Sequence, residues 1–251
     1  DEGAAFMFHG SASGVVGTNP ATAGAILKSD QAGASMGSSV SGAGDANGDG
    51  YADIIVGARS YYNGQTNEGA AFVFHGSASG LVGTSPATAA GLLESDQSDA
   101  GMGYSVSGAG DVNGDGYADV IVGAHGFGNG QPGEGAAFVF HGSASGVVGT
   151  SPATAAAVLE SDQDYANMGV SVSGAGDVNG DGYADVIVGA YYYDNGQPDE
   201  GAAFVFHGSA SGVVGTSPAT AAAVLESDQV GARMGVSVSG AGDVNGDGYA
   251  D

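Results

Sequence analysis

The spacing D-x-N-x-D-G-x-x-D occurs four times in this chain. The copies are Asp45/Asn47/Asp49/Asp53, Asp111/Asn113/Asp115/Asp119, Asp177/Asn179/Asp181/Asp185 and Asp243/Asn245/Asp247/Asp251. Oxygen-bearing side chains at alternate positions wrap a loop around a hard cation, and the glycine permits the sharp turn that brings back the last carboxylate. The seventh position adds a backbone carbonyl as a candidate fifth ligand, from Tyr51, Tyr117, Tyr183 or Tyr249. Three carboxylates, an amide and a carbonyl suit calcium better than zinc, which prefers nitrogen and sulfur. An EF-hand needs a glutamate at position twelve, and here that position is Val56, Val122 or Val188. A merely polar turn explains one copy poorly and four evenly spaced copies hardly at all. The expectation is one Ca2+ per repeat, up to four.

Such loops need a scaffold, and the sequence repeats one. GAGDVNGDGYAD begins at Gly108, Gly174 and Gly240, with GAGDANGDGYAD at Gly42, and EGAAF begins at Glu2, Glu68, Glu134 and Glu200. Every spacing is 66 residues, and 135–163 is identical to 201–229. Each period holds four short apolar stretches, exemplified by Met36–Ala43, Asp53–Ala58, Gly69–His75 and Gly91–Ser95. Their β-branched and aromatic content favours strands, and the Gly/Ser/Asn-rich segments between them read as turns. Ala87–Ala90 is a marginal helix start, because Gly91 follows at once.

Four short strands per repeat predict an all-β propeller of four-stranded antiparallel blades. The expected division is a partial blade at 1–35 supplying the third and fourth strands, then whole blades at 36–101, 102–167 and 168–233. Residues 234–251 are expected to supply a first strand and its Asp-rich loop. The register opens and closes mid-repeat, as in a piece of a longer repetitive chain, part of a larger ring, a permuted chain or a consensus design.

In an up-and-down blade the connections alternate between two ends. The repeats differ mainly in the second-to-third-strand windows (RSYYNGQTN from Arg59, HGFGNGQPG from His125, YYYDNGQPD from Tyr191) and in the short windows beginning at Gln31, Gln97, Gln163 and Gln229. Both sets are expected on one face, opposite the Asp-rich loops. Candidate ligand contacts on that face are Tyr61, Tyr62, His125, Phe127, Tyr165, Tyr191, Tyr192 and Tyr193, since tyrosine offers rigid amphipathic contact area. Packing between blades is the competing role for these rings. His9, His75, His141 and His207 recur after F-x-F and read as scaffold residues.

Composition narrows the partners. The 251 residues include 50 glycines, 28 acidic and 3 basic residues (Lys28, Arg59, Arg233) and no cysteine, for a net charge of −25. Nucleic acid and anionic membrane surfaces need a cationic footprint that is missing here, and no apolar run reaches the length of a membrane span. Disulfides and thiolate metal sites are excluded. No nucleophile elbow is present, and outside the variable windows no unlike residues break the repeat as an active site would.

The segment MGYSVSGAGDVNGDGYADVIVGA followed by GAAFVFHG resembles the FG-GAP repeat of integrin alpha-subunit β-propellers and their bacterial relatives. Met36, Met102, Met168 and Met234 stand where the family has phenylalanine. The resemblance implies a calcium loop between the first and second strands of each blade and ligand binding on the opposite face. It also implies a ring of seven blades, more than this chain supplies. The expected function is a non-enzymatic, extracellular or cell-surface (secreted) recognition or adhesion module, with a protein or glycan ligand, or copies of itself, as partner. A self-assembling block of a filament, sheath or surface layer is the alternative, followed by the propeller of a larger secreted hydrolase or lyase.

Overall fold

Short apolar runs separated by glycine turns build hairpins, and the hairpins repeat with the sequence. The computed structural model describes residues 2–251. Among them sixteen strands follow in order. The first four are β1 (Ala4–Met7), β2 (Gly10–Ser11), β3 (Gly14–Val15) and β4 (Ala25–Lys28). Three four-stranded sets come next: β5 (Met36–Gly44), β6 (Asp53–Ala58), β7 (Ala70–Phe74) and β8 (Gly91–Glu94); β9 (Ser105–Gly110), β10 (Asp119–Ala124), β11 (Ala136–Phe140) and β12 (Ala157–Glu160); β13 (Met168–Gly176), β14 (Asp185–Ala190), β15 (Ala202–Phe206) and β16 (Ala223–Glu226). Each set is an antiparallel meander in chain order, while β1 pairs β4 and β2 pairs β3. The molecule is all-β, with sheets arranged as propeller blades that do not close into a ring.

The centre of each sheet is apolar on both faces. Phe72 and Phe74 on β7 are fully buried, as are Val73 on the same strand and Ile55 and Val56 on β6. One core joins Ile55, Val73 and Leu93 of the first sheet to Val120, Val122, Phe138 and Phe140 of the second. Another joins Ile121, Val139 and Leu159 to Val186, Val188, Phe204 and Phe206. Each blade therefore stacks on the next through side chains of its two middle strands and one leucine of its fourth, and every buried phenylalanine contributes about 1.5–3 kcal/mol.

The first strands, β5, β9 and β13, pack directly beside one another. Their approach needs glycine: a β-carbon on Gly108 would stand 2.7 Å from the carbonyl oxygen of Gly42. Serine hydroxyls bridge the same seam, Ser39 Oγ accepting from Val106 N and Ser105 Oγ from Val172 N, each at 3.0 Å.

Two details differ from the sequence reading. The proposed helix start is a single 3-10 turn, Pro86–Thr88, repeated at Pro20–Thr22, Pro152–Thr154 and Pro218–Thr220. Proline opens the turn and Thr88 Oγ1, accepting from Thr84 N and Ser85 N, closes it before Gly91 starts the next strand. Residues 234–251 form no named strand; they meet the preceding repeat at the Gly201–Met234 bridge, through Val238 N to Ser171 Oγ at 3.0 Å and through Ala250 N to Asp177 O at 2.9 Å. Ala241 N donates to Asp251 O at 2.8 Å and Asp251 N to Gly242 O at 2.9 Å, so the pairing next to the Asp-rich turn is kept.

Candidate functional site

The first three Asp-rich segments each link the first and second strands of a sheet. Asp45 caps its own turn, Oδ1 accepting from Asp49 N at 3.0 Å and Oδ2 from Gly50 N at 2.8 Å. Asn47 Oδ1 accepts from Asp49 N and its amide donates to Asp49 Oδ2, both at 3.0 Å. Asp49 Oδ1 accepts from Tyr51 N at 2.9 Å. The same bonds recur around Asp111, Asn113 and Asp115 and around Asp177, Asn179 and Asp181; around Asp243, Asn245 and Asp247 all recur but the amide bond from Asn245 to Asp247. The ninth position lies deeper. Asp53 is fully buried, with Oδ2 accepting from Ala46 N at 3.0 Å and Oδ1 from Gly76 N at 2.8 Å. Asp119 and Asp185 repeat this arrangement, whereas Asp251 keeps only the Val244 N bond and is exposed.

Among the described residues no three Asp, Glu, His or Cys side chains converge on one metal position. Three donors of each loop sit on one turn and the fourth lies behind it, with loop amides taking their oxygens. The donor chemistry nonetheless fits a hard cation, because every side chain at these positions offers oxygen. Burial pushes the Asp119 carboxyl up to about 6, against N–H bonds from Gly142 and Val112 and the nearby His141. Asp53 and Asp185 are raised for the same first reason. A desolvated carboxylate is the kind of group that gains most from a bound cation.

At the other end of the blades the variable windows are tied pairwise. Gln97 donates to Gly128 O at 2.9 Å and accepts from Gly128 N at 2.8 Å. Gln31 bridges to Tyr62, and Gln163 to Asp194, in the same way. Between these clamps runs an arc of rings. The Arg59 guanidinium lies 5.5 Å from the Tyr104 ring centre, and Tyr104 lies 4.2 Å from His125. Tyr191 stacks on Tyr192 at 4.0 Å, and Arg233 covers Tyr192 at 4.9 Å. Burial first, then Tyr192 and Tyr104, raise the Tyr191 phenol.

Three other candidates face inward. Tyr61, Phe127 and Tyr193 occupy the same place in successive repeats and pack edge-on against Phe72, Phe138 and Phe204 at 5.2, 5.2 and 5.1 Å. Their rings belong to packing within a blade. Tyr62 and Tyr165 remain open, 55% and 63% exposed.

Three segments, 36–74, 102–140 and 168–206, match the FG-GAP repeat. The chain is an FG-GAP repeat protein. It is 36% identical over 148 residues to integrin alpha-7 of Rattus norvegicus, which covers 58% of this chain and 12% of that protein. With integrin alpha-3 of Cricetulus griseus it shares 32% over 170 residues, 66% of the chain and 15% of the relative. With phosphatidylinositol-glycan-specific phospholipase D of Bos taurus it shares 31% over 172 residues, 66% of the chain and 20% of the relative. The matched region therefore spans at most a fifth of these proteins' lengths.

In this FG-GAP protein the repeated histidines lie by the buried aspartates, His75 near Asp53, His141 near Asp119 and His207 near Asp185. His125 is displaced from that set into the arc, where burial first and Arg59 second hold its imidazole below the ordinary 6.5. Sequence reasoning passed over Tyr104, Arg59 and Arg233 as arc members. A signal was present: two of the three basic residues fall inside variable windows. No helix among the described residues is long and apolar enough to cross a membrane.

Proposed function

We propose that this FG-GAP protein is a calcium-supported, non-enzymatic recognition or adhesion module working outside the cell or at its surface. In this reading Asp45, Asn47, Asp49 and Asp53, with the Tyr51 carbonyl, hold one Ca2+, and the three later loops do the same. The blades are 36–101, 102–167 and 168–233, with partial blades on either side. Ligand meets the opposite face.

The aromatic arc carries the reading. An otherwise repetitive scaffold changes its side chains chiefly where Arg59, Tyr104, His125, Tyr191, Tyr192 and Arg233 gather, which is where a binding surface would diversify. Rings offer stacking area to a sugar or an aromatic side chain, and each guanidinium supplies a planar donor fork for a carboxylate. Two hollows beside the arc, of about 260 and 360 Å³, hold its arginines together with Asp99 and Asp199 respectively. Integrin alpha-7 and alpha-3 among the relatives agree with an adhesive role.

The test is an array of glycans and extracellular-matrix proteins, probed in calcium and in chelator, with Tyr192→Ala and Arg233→Ala beside the parent. Binding in calcium that both substitutions abolish supports the reading. Binding that neither substitution changes moves the contact surface elsewhere.

The phospholipase D relative favours a second reading, a propeller carried next to a catalytic region. Turnover by a longer protein containing this segment, and none by the segment, would support that alternative.

A further inference from the structure

Behind the arc, each complete sheet buries a second acidic feature that the Asp-rich loops do not include. Glu68, Glu134 and Glu200 are fully buried. In each, Oε1 accepts backbone N–H from the loop, from Asn63, Asn129 and Asn195 respectively. In each, Oε2 is buried and has no hydrogen-bond donor. An unpaired buried carboxylate oxygen costs several kcal/mol unless something positive meets it.

The surroundings deepen the deficit. The side-chain amide of the same asparagine donates to a second glutamate: Asn63 to Glu94, Asn129 to Glu160 and Asn195 to Glu226. Two carboxylates are thus held on either side of one asparagine, three times over. In the first of these sheets the Gln65 Oε1 amide oxygen is also buried without a donor. The charges acting on Glu94 are Glu68 and Asp96, and those acting on Glu134 are Glu160 and Asp162, all of them acidic.

We propose that the pairs Glu68/Glu94, Glu134/Glu160 and Glu200/Glu226 each hold a hard divalent cation, forming a second set of sites on the face opposite the Asp-rich loops. An all-oxygen donor set, anionic and lacking nitrogen or sulfur, selects calcium-like over zinc-like ions. The asparagine keeps the two carboxylates apart yet in register, and the free Oε2 supplies an inner ligand already stripped of water. Burial first, with the neighbouring carboxylates adding to it, raises the Glu94 and Glu134 carboxyls from 4.5, as expected of groups that lack their counter-ion. These sites stand independently of the loop calcium and of any ligand on the arc.

Equilibrium dialysis with Ca2+ at neutral pH counts the sites. The triple variant Glu68→Gln, Glu134→Gln, Glu200→Gln keeps Oε1 as acceptor and gives the second position its own donor. It should bind three fewer ions per chain than the parent. Asp49→Asn, Asp115→Asn, Asp181→Asn and Asp247→Asn together should leave those three ions bound, separating this set from the loops. An unchanged count in the glutamate variant overturns the proposal, and the free oxygen then takes a proton or a water. A second measurement uses the parent fold. Tyr61 and Tyr193 lie near the glutamates: burial first raises both phenols, with Glu94, Asp30 and Glu68 adding to it at Tyr61 and Glu226 and Asp162 at Tyr193. They should therefore sensitise Tb3+ luminescence. Phe127 holds the same place in the middle repeat, so Tyr61→Phe with Tyr193→Phe should fold and lose at least half of the emission that survives in the aspartate variant. Emission unchanged by this substitution overturns the proposal as well.

Discussion

The Tyr117 ring lies against the turn at Gly48: a β-carbon on that glycine would stand 2.6 Å from Tyr117 Cε1. Tyr183 covers Gly114 and Tyr249 covers Gly180 in the same way. Alongside, Ala118 N donates to Asp45 O at 3.1 Å and Ser143 N to Ala46 O at 3.0 Å. The Asp-rich loop of one repeat is therefore built partly by the next. Gly48, at a φ of +71°, meets both a conformational and a steric demand for glycine. Gly48→Ala should cost about 1–3 kcal/mol and weaken cation binding at Asp45 and Asp49, with a smaller effect at the Asp111 loop. Tyr117→Ala should also weaken the Asp45 loop, although it lies 66 residues along the chain from Tyr51. Calorimetric titration that shows the Asp45 loop unaffected by Tyr117→Ala would separate the two loops.

The inward and outward rings should part company under substitution. Tyr193→Ala removes the edge-on contact with Phe204 and should lower stability by about 2–4 kcal/mol. Tyr192→Ala removes a stacking partner and a cation–π contact and should cost about 1 kcal/mol or less. Denaturant unfolding ranks the two. Equal losses would mean that Tyr192 also belongs to the core.

Acidification should act on the arc through His125. Its folded pKa lies below the unfolded 6.5, so the neutral imidazole is the form the fold prefers. The stability it contributes is complete above 6.5 and is lost as pH falls through the folded pKa. Proton NMR should show His125 titrating below 6.5 and moving up when Arg59→Ala removes the neighbouring cation. Burial is the larger cause, so the pKa should stay depressed after that substitution. Full return to 6.5 would make the guanidinium the whole cause.

Much of this architecture was legible because period and composition agree. A 66-residue repeat, β-branched runs such as Ile54-Ile55-Val56 and glycine turns suffice for hairpins stacked as blades. What stayed hidden depends on where side chains point across blades. Tyr61 and Tyr62 are neighbours in one window, yet one ring meets Phe72 and the other faces solvent. Residue type alone does not separate them. Tyr104 follows Met102-Gly103 at the start of a repeat and joins the arc only because the second-to-third-strand window places His125 beside it. The donorless oxygen of Glu68 was equally invisible, since an EGAAF motif reads as the start of a strand until the loop folds its amides onto one oxygen.

Calcium removal should be felt by the whole fold. Loop carboxylates in a chain of net charge −25 repel one another, and Asp53, Asp119 and Asp185 are buried as well. A cation bound only by the folded state at a hundred times its Kd adds about 2.7 kcal/mol per site. A change of 1 kcal/mol moves the melting temperature of a domain this size by about 2–4 °C. Several loops together should therefore raise the melt by roughly 10 °C or more between chelator and millimolar calcium. Asp115→Ala should remove about one site's share of that rise and leave the chelator melt nearly unchanged, because the Asp115 carboxylate is exposed and bonded only within its own turn. Asp119→Ala should behave differently: it strips bonds from Val112 N and Gly142 N in the interior and should lower the melt in both conditions. A melt that ignores calcium, with Asp115→Ala indistinguishable from the parent, would reduce the Asp-rich segments to turns.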